Sequence, residues 1–147
     1  MLKRLIVISA LLATSTFANA NNELSLQTVN GNSYSFYSDP FKLADYVKEP
    51  QKAIEKAIVN AGWKIKEKGE GLVKAELDYK GYLLNSTIYF NDKEISFDHV
   101  SAQRNDCSGS RCKVKERHVD RWRLSLRRHV ATQLTKLAKK DAVSSLN

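Results

Sequence analysis

The chain has 147 residues, with 24 lysines and arginines against 16 aspartates and glutamates, a formal net charge of +8. That length suits one compact domain rather than two, and the positive excess favours anionic partners without selecting one. No apolar run reaches the roughly 20 residues needed to cross a bilayer as a helix.

Met1 to Ala20 reads MLKRLIVISALLATSTFANA, with Lys3 and Arg4 ahead of an apolar run from Leu5 to Ala13 and small residues at Ala18-Asn19-Ala20. This is the pattern of a secretory signal peptide, so residues 1–20 are expected to be removed and the protein to reside in the periplasm. No cysteine stands at the expected cleavage point, which argues against a lipid-modified N-terminus. A single α+β domain is expected over residues 21–147; loss of Lys3 and Arg4 takes the basic count from 24 to 22 against 16 acids, a net of +6.

Leu24 to Val29 alternates, Asn30-Gly31 suits a type I′ turn, and Tyr34-Ser35-Phe36 resumes the alternation, which predicts a short hairpin. Asp39-Pro40 then pairs a capping side chain with a residue pre-set for a first helical turn, predicting a short helix to about Val47. Pro50 opens another helix, in which Ile54, Ala57, Ile58 and Ala61 recur at helical intervals until Gly62 closes it.

Between Trp63 and Val100 the period changes to two. Trp63 and Ile65 alternate with lysines, and Val73, Ala75, Leu77 and Tyr79 with Lys74, Glu76 and Asp78. Leu84, Ser86, Ile88 and Phe90 give a third face, and Glu94 to Asp98 a fourth strand after Asn91-Asp92. Turns at Gly69-Glu70-Gly71 and Lys80-Gly81 separate them, so a four-stranded antiparallel meander is predicted, with helices on one face. Residues 101–113 lack a period and read as a surface loop. From about Lys115, Val119, Trp122, Leu126, Val130, Leu134 and Leu137 predict a long C-terminal helix whose tail, from Asp141, is expected to fray.

The loop holds both cysteines, in NDCSGSRC. In an oxidising compartment Cys107 and Cys112 are expected to pair, a clip worth about 2 kcal/mol for so short a loop. A redox motif of the thioredoxin type would place two residues between the cysteines rather than four. A metal site recruiting His118 or His99 would match no standard finger spacing. No metal or other cofactor is therefore expected.

Residues 53–130 resemble a family of small, largely uncharacterised bacterial periplasmic proteins and lipoproteins. The resemblance rests on Ala57-x-x-x-Ala61-Gly62-Trp63, Gly71-Leu72-Val73-x-Ala75-x-Leu77, Ile88-Tyr89-Phe90, Ile95-Ser96-Phe97 and Trp122-x-x-x-Leu126. Val119-Asp120 stands where that family typically has Tyr-Asn, and His99-Val100-Ser101 replaces its small polar run. The resemblance implies a helix-sheet-helix fold and an envelope location, and no activity.

No catalytic constellation is legible. His118 and His129 share a helical face but lie roughly 16 Å apart along the axis, and Asp98 and His99 should point to opposite faces of a strand. Asn85-Ser86-Thr87 matches a glycosylation acceptor yet falls inside a predicted strand. What remains is charge: Arg111, Lys113, Lys115, Arg117, Arg121, Arg123, Arg127, Arg128, Lys136, Lys139 and Lys140 crowd the loop and last helix. Either they are a solvated face flanking the apolar stripe, or they form an anion-binding strip. The functional expectation is a non-catalytic periplasmic or envelope-associated protein using Arg117, Arg121 and Arg128 to hold an acidic protein, lipid headgroup or envelope polysaccharide; nucleic acid is not expected. The alternatives are a small exported enzyme or metal-binding protein built on His118 and the cysteine loop, or an inhibitor or immunity factor whose loop from Arg104 to Lys113 protrudes.

Overall fold

A computed structural model describes residues 39–110 and 112–146; the expected leader and the hairpin from Leu24 to Phe36 lie outside the described residues. In chain order the elements are β1 (Phe41–Lys42), α1 (Pro50–Asn60), β2 (Lys64–Gly69), β3 (Leu72–Tyr79), β4 (Tyr82–Phe90), β5 (Glu94–Arg104) and α2 (Glu116–Ser144). The strands form one antiparallel sheet in the order β1-β5-β4-β3-β2. The α+β class, the antiparallel sheet and the long C-terminal helix are as the sequence predicts, but the sheet has five strands rather than four.

The fifth strand comes from the segment expected to be a short helix. Phe41 pairs with Ile95 in register, Leu43 N–H donates to the Lys93 carbonyl at 2.7 Å, and the Phe41 ring meets the edge of Phe97 at 5.9 Å. A helix of eight residues is marginal by itself, so pairing with an open sheet edge and partial burial of Phe41 against the core override the Asp-Pro start signal. Arg127 of α2 completes the clamp. Its guanidinium lies 4.2 Å from the Phe41 ring centroid and donates to the Asp39 carbonyl.

Helix α1 ends as the sequence predicts. Gly62 adopts φ +79°, Trp63 N–H donates to the Ile58 carbonyl at 3.0 Å, and Gly62 N–H to that of Val59 at 3.0 Å. This reversal satisfies two of the helix's last carbonyls and delivers Trp63 to the core beside Ile58.

Strand β5 runs to Arg104, well past the predicted end at Asp98 and into the segment expected to be a loop from residue 101. Asn85 pairs with Ser101 and Thr87 with Asp98, so Ser86 alone faces His99 and Val100. This bulge shifts the alternation by one residue: Ile95 and Phe97 face inward before it, Ala102 and Arg104 after it. A strict period-two reading loses the strand at that point.

One face of the sheet is buried. Val73, Leu77, Leu84, Ile88, Ile95 and Phe97 join Ile54, Ala57 and Ile58 of α1 and Val119, Leu126 and Val130 of α2 in a single core. The other face carries the exposed Lys74, Asp78, Asp98 and Gln103. Helix α2 spans 29 residues, so the tail expected to fray from Asp141 instead stays helical to Ser144.

The clamp on β1 gives a direct test. Arg127→Ala removes both the stacked guanidinium and its aliphatic stem and should lower unfolding free energy by about 1–2 kcal/mol. Arg128→Ala, on an exposed neighbour, should stay within about 0.5 kcal/mol of wild type in the same urea titration.

Candidate anion-binding site

The turn between β3 and β4 is Lys80-Gly81, with φ of 49° and 75°. Two left-handed residues in a two-residue connection make the tight hairpin whose twist matches its strands. It places Tyr79 and Tyr82 opposite each other at the sheet's end, on the core side. Tyr82 is 3% exposed.

The segment after β5 is tied to this turn. Asn105 N–H donates to the Gly81 carbonyl at 3.0 Å, and Arg104 Nε donates to the same carbonyl at 3.2 Å. Arg104 also forks onto Asp106, with Nε to Oδ1 at 2.8 Å and Nη2 to Oδ2 at 2.5 Å, while its guanidinium lies 4.5 Å from the Tyr82 ring centroid. The pairing holds the Asp106 carboxyl below its usual range and raises the Arg104 guanidinium. A Cβ at position 81 would fall 2.2 Å from the Asp106 carboxyl carbon, so this approach requires glycine. The base of the loop is therefore pinned to the hairpin rather than protruding from Arg104 onward.

Cys107 and Cys112 are joined in a disulfide with their Cα atoms 5.5 Å apart. Asp106, Cys107 and Cys112 bring potential metal donors within 4.8 Å of one another, but the bond consumes both sulfurs, and a thiolate site would first require its reduction. His99 lies elsewhere, on β5, with Nδ1 2.9 Å from Ser86 Oγ and its ring stacked on Phe97. Asn85, the residue of the glycosylation match, sits within β4 and donates to Ser101 Oγ at 3.1 Å.

The first turns of α2 lay a second aromatic layer over the hairpin. Trp122 meets Tyr82 at 5.1 Å, Tyr79 at 5.8 Å and His118 at 5.9 Å between ring centroids. Tyr79, Lys80, His118, Arg121 and Trp122 line a concavity of about 220 Å³. Trp122 thus packs against the core, as its place on the stripe predicts, and also walls this concavity. Burial lowers the His118 pKa, and the charges of Arg117, Lys115, Arg121 and Arg104 lower it further.

The basic run separates into two sets. Arg117, Arg121 and Arg128 are exposed, and none forms an ion pair among the described residues. At 100° per residue they fall within about 40° of one another, opposite the buried stripe. Arg123 and Arg127, counted with the strip in the sequence, turn inward: Arg123 is 9% exposed, and Arg127 stacks on Phe41, with burial lowering its pKa. Burial likewise raises the Asp120 carboxyl, against the opposing pull of Arg123. Arg111 lies outside the described residues.

No family model, curated protein or solved structure matches the chain. None of these comparisons bears on the resemblance to small periplasmic proteins.

Tyr79 and Lys80 line the concavity, Tyr82 packs beneath Trp122 and Arg104 lies over Tyr82, and sequence reasoning gave none of the four a place at the candidate site. The one local signal, for Tyr79, Lys80 and Tyr82, was Tyr-Lys-Gly-Tyr, a turn dipeptide flanked by aromatics on the inward phase. The pairing with Trp122 and Arg104 is tertiary.

The depressed His118 pKa carries a sign. The unfolded chain takes up the proton near pH 6.5, before the folded protein does, so acidification below that value disfavours the native state until the folded pKa is passed. An NMR titration should place the His118 midpoint below 6.5 (about the free value) and move it upward in Arg121→Ala, which removes one of the repelling charges. Separately, Cys107→Ser with Cys112→Ser should cost about 2 kcal/mol in a urea titration while leaving the helical signal intact.

Proposed function

We propose that the protein is an exported, non-catalytic envelope protein that holds an acidic partner against the first half of α2. The observation that carries this reading is the set of three exposed guanidiniums, Arg117, Arg121 and Arg128, on one helical face without ion pairs among the described residues. Fixed cations that share a face and lack internal counter-charges are a standing attraction for carboxylate or phosphate, and arginine forks bind both bidentately. The concavity beside Arg121 adds Lys80 and His118 over an aromatic wall. An anion lodged there would relieve the repulsion that now lowers the His118 pKa.

Export rests on the leader pattern of residues 1–20 and accords with the Cys107–Cys112 disulfide, since such bonds persist in oxidising compartments. Among the described residues no helix is long and apolar enough to cross a membrane. The partner class is a polymer or protein presenting carboxylate or phosphate groups in a row, because the three arginines span roughly 16 Å of helix.

Pull-down from envelope fractions should retain a partner at low salt and release it as salt rises. The triple variant Arg117→Glu, Arg121→Glu, Arg128→Glu should lose that retention with its unfolding midpoint unchanged. Retention equal to wild type by the reversed variant would sink the reading. In the wild type, binding of the partner should raise the His118 midpoint in the NMR titration.

A further inference from the structure

The far half of α2 carries a second concentration of positive charge, separate from the three arginines. A groove of about 510 Å³ lies between α1 and the last turns of α2, and five lysines line it: Lys48, Lys52, Lys56, Lys136 and Lys140. Glu49 and Asp141 also line it, and Glu49 pairs with Lys52 at 2.5 Å. Lys48, Lys56, Lys136 and Lys140 form no ion pair among the described residues. Five lysines against the two acids Glu49 and Asp141 leave a net of +3 around one concavity, a positive potential that favours an external anion.

Beneath the lysines the lining is mixed. Ala53 and Leu137 contribute apolar surface, and Gln133, 5% exposed, contributes a side-chain amide. At the end of α2 the character changes again. Val143 is 61% exposed and Leu146 85% exposed, while Ser144 between them lines the groove. Lys136, Lys140 and Val143 follow at intervals of four and three, so they share one helical face. Cations and exposed aliphatic side chains at the same end of a helix complement a surface that is anionic outside and apolar just beneath.

We infer that this end of the molecule docks on an anionic lipid bilayer, with the groove lysines taking headgroup phosphates and Val143 and Leu146 entering the acyl boundary. A soluble polyanion would account for the lysines but not for the two aliphatic residues beside them. The attachment is peripheral and reversible, because it combines screened charge with only two shallow apolar side chains. It does not depend on Arg117, Arg121 or Arg128, which stay intact in every variant below, so its failure and that of the proposed partner binding are read separately.

The test is co-sedimentation with vesicles of phosphatidylcholine alone or mixed with phosphatidylglycerol. Every variant is used in the form recovered from the producing cell, so that any leader contributes equally. Wild type should prefer the anionic vesicles and lose the preference as salt rises. Lys136→Gln with Lys140→Gln should cut the partition coefficient by roughly fivefold per lysine. Val143→Ser with Leu146→Ser should weaken binding severalfold while leaving the salt slope unchanged. Equal binding to neutral vesicles, or wild-type binding by the lysine pair, would overturn the inference. Dependence on the lysines alone, with the Val143→Ser, Leu146→Ser variant binding as wild type, or full displacement of wild type by free glycerol phosphate, would equally reject the bilayer, the latter in favour of a soluble phosphate compound.

Discussion

Helix α2 can bury only one stripe, and that restriction decides where every charge in the second half of the chain points. Val119, Leu126 and Val130 are fully buried against α1 and the inner face of the sheet. Each such residue takes up apolar surface worth about 1.5–3 kcal/mol, more than an exposed ion pair contributes. The apolar side chains therefore set the rotation of the helix, and its cations are distributed by their angular distance from the stripe. Arg117, Arg121 and Arg128 fall opposite and reach water. Arg123 and Arg127 fall at the margin and are drawn in, the latter finding an aromatic face at Phe41.

The same restriction links fold to binding chemistry. Lysines clustered on one side of α2 meet those of α1 because the two helices share the core, so the groove inherits charge from two separate segments. At the other end, Trp122 must cover the β3–β4 hairpin, and that brings His118 and Arg121 beside Lys80. Among the described residues the groove lysines are balanced only in part, by Glu49 and Asp141, and Arg121 and Lys80 form no ion pair, whereas the sheet's charged residues commonly do: Lys66 pairs with Glu76, Lys68 with Glu55 and Lys74 with Glu67. Positive charge is thus compensated around β2 and β3 and left open along α2.

Departures from the sequence reading have separate physical causes. The Asp39-Pro40 signal was sound as a local preference, but Phe41 gains more from Ile95, Phe97 and Arg127 than an isolated eight-residue helix can return. The end of β5 was hidden by the bulge opposite Ser86, since one extra residue exchanges the inward and outward phases. The basic strip was legible as a run of residue types, and Arg117, Arg121 and Arg128 do share the exposed face. The inward turn of Arg123 and Arg127 was not, because an arginine at the edge of an apolar stripe can lie on either side of it.

The sequence by itself determined what depends on near neighbours along the chain: the period-two strands, the helix from Pro50 to its glycine stop, the 3.6-period stripe of α2, and a five-residue cysteine separation short enough to close. Only the tertiary structure decided which cations stay solvated, that Arg104 and Asp106 lock the cysteine loop to Gly81, and that lysines more than 70 residues apart line one groove. Local preferences are written into dihedral angles and spacing, whereas charge placement follows from how whole elements rotate to bury their apolar faces.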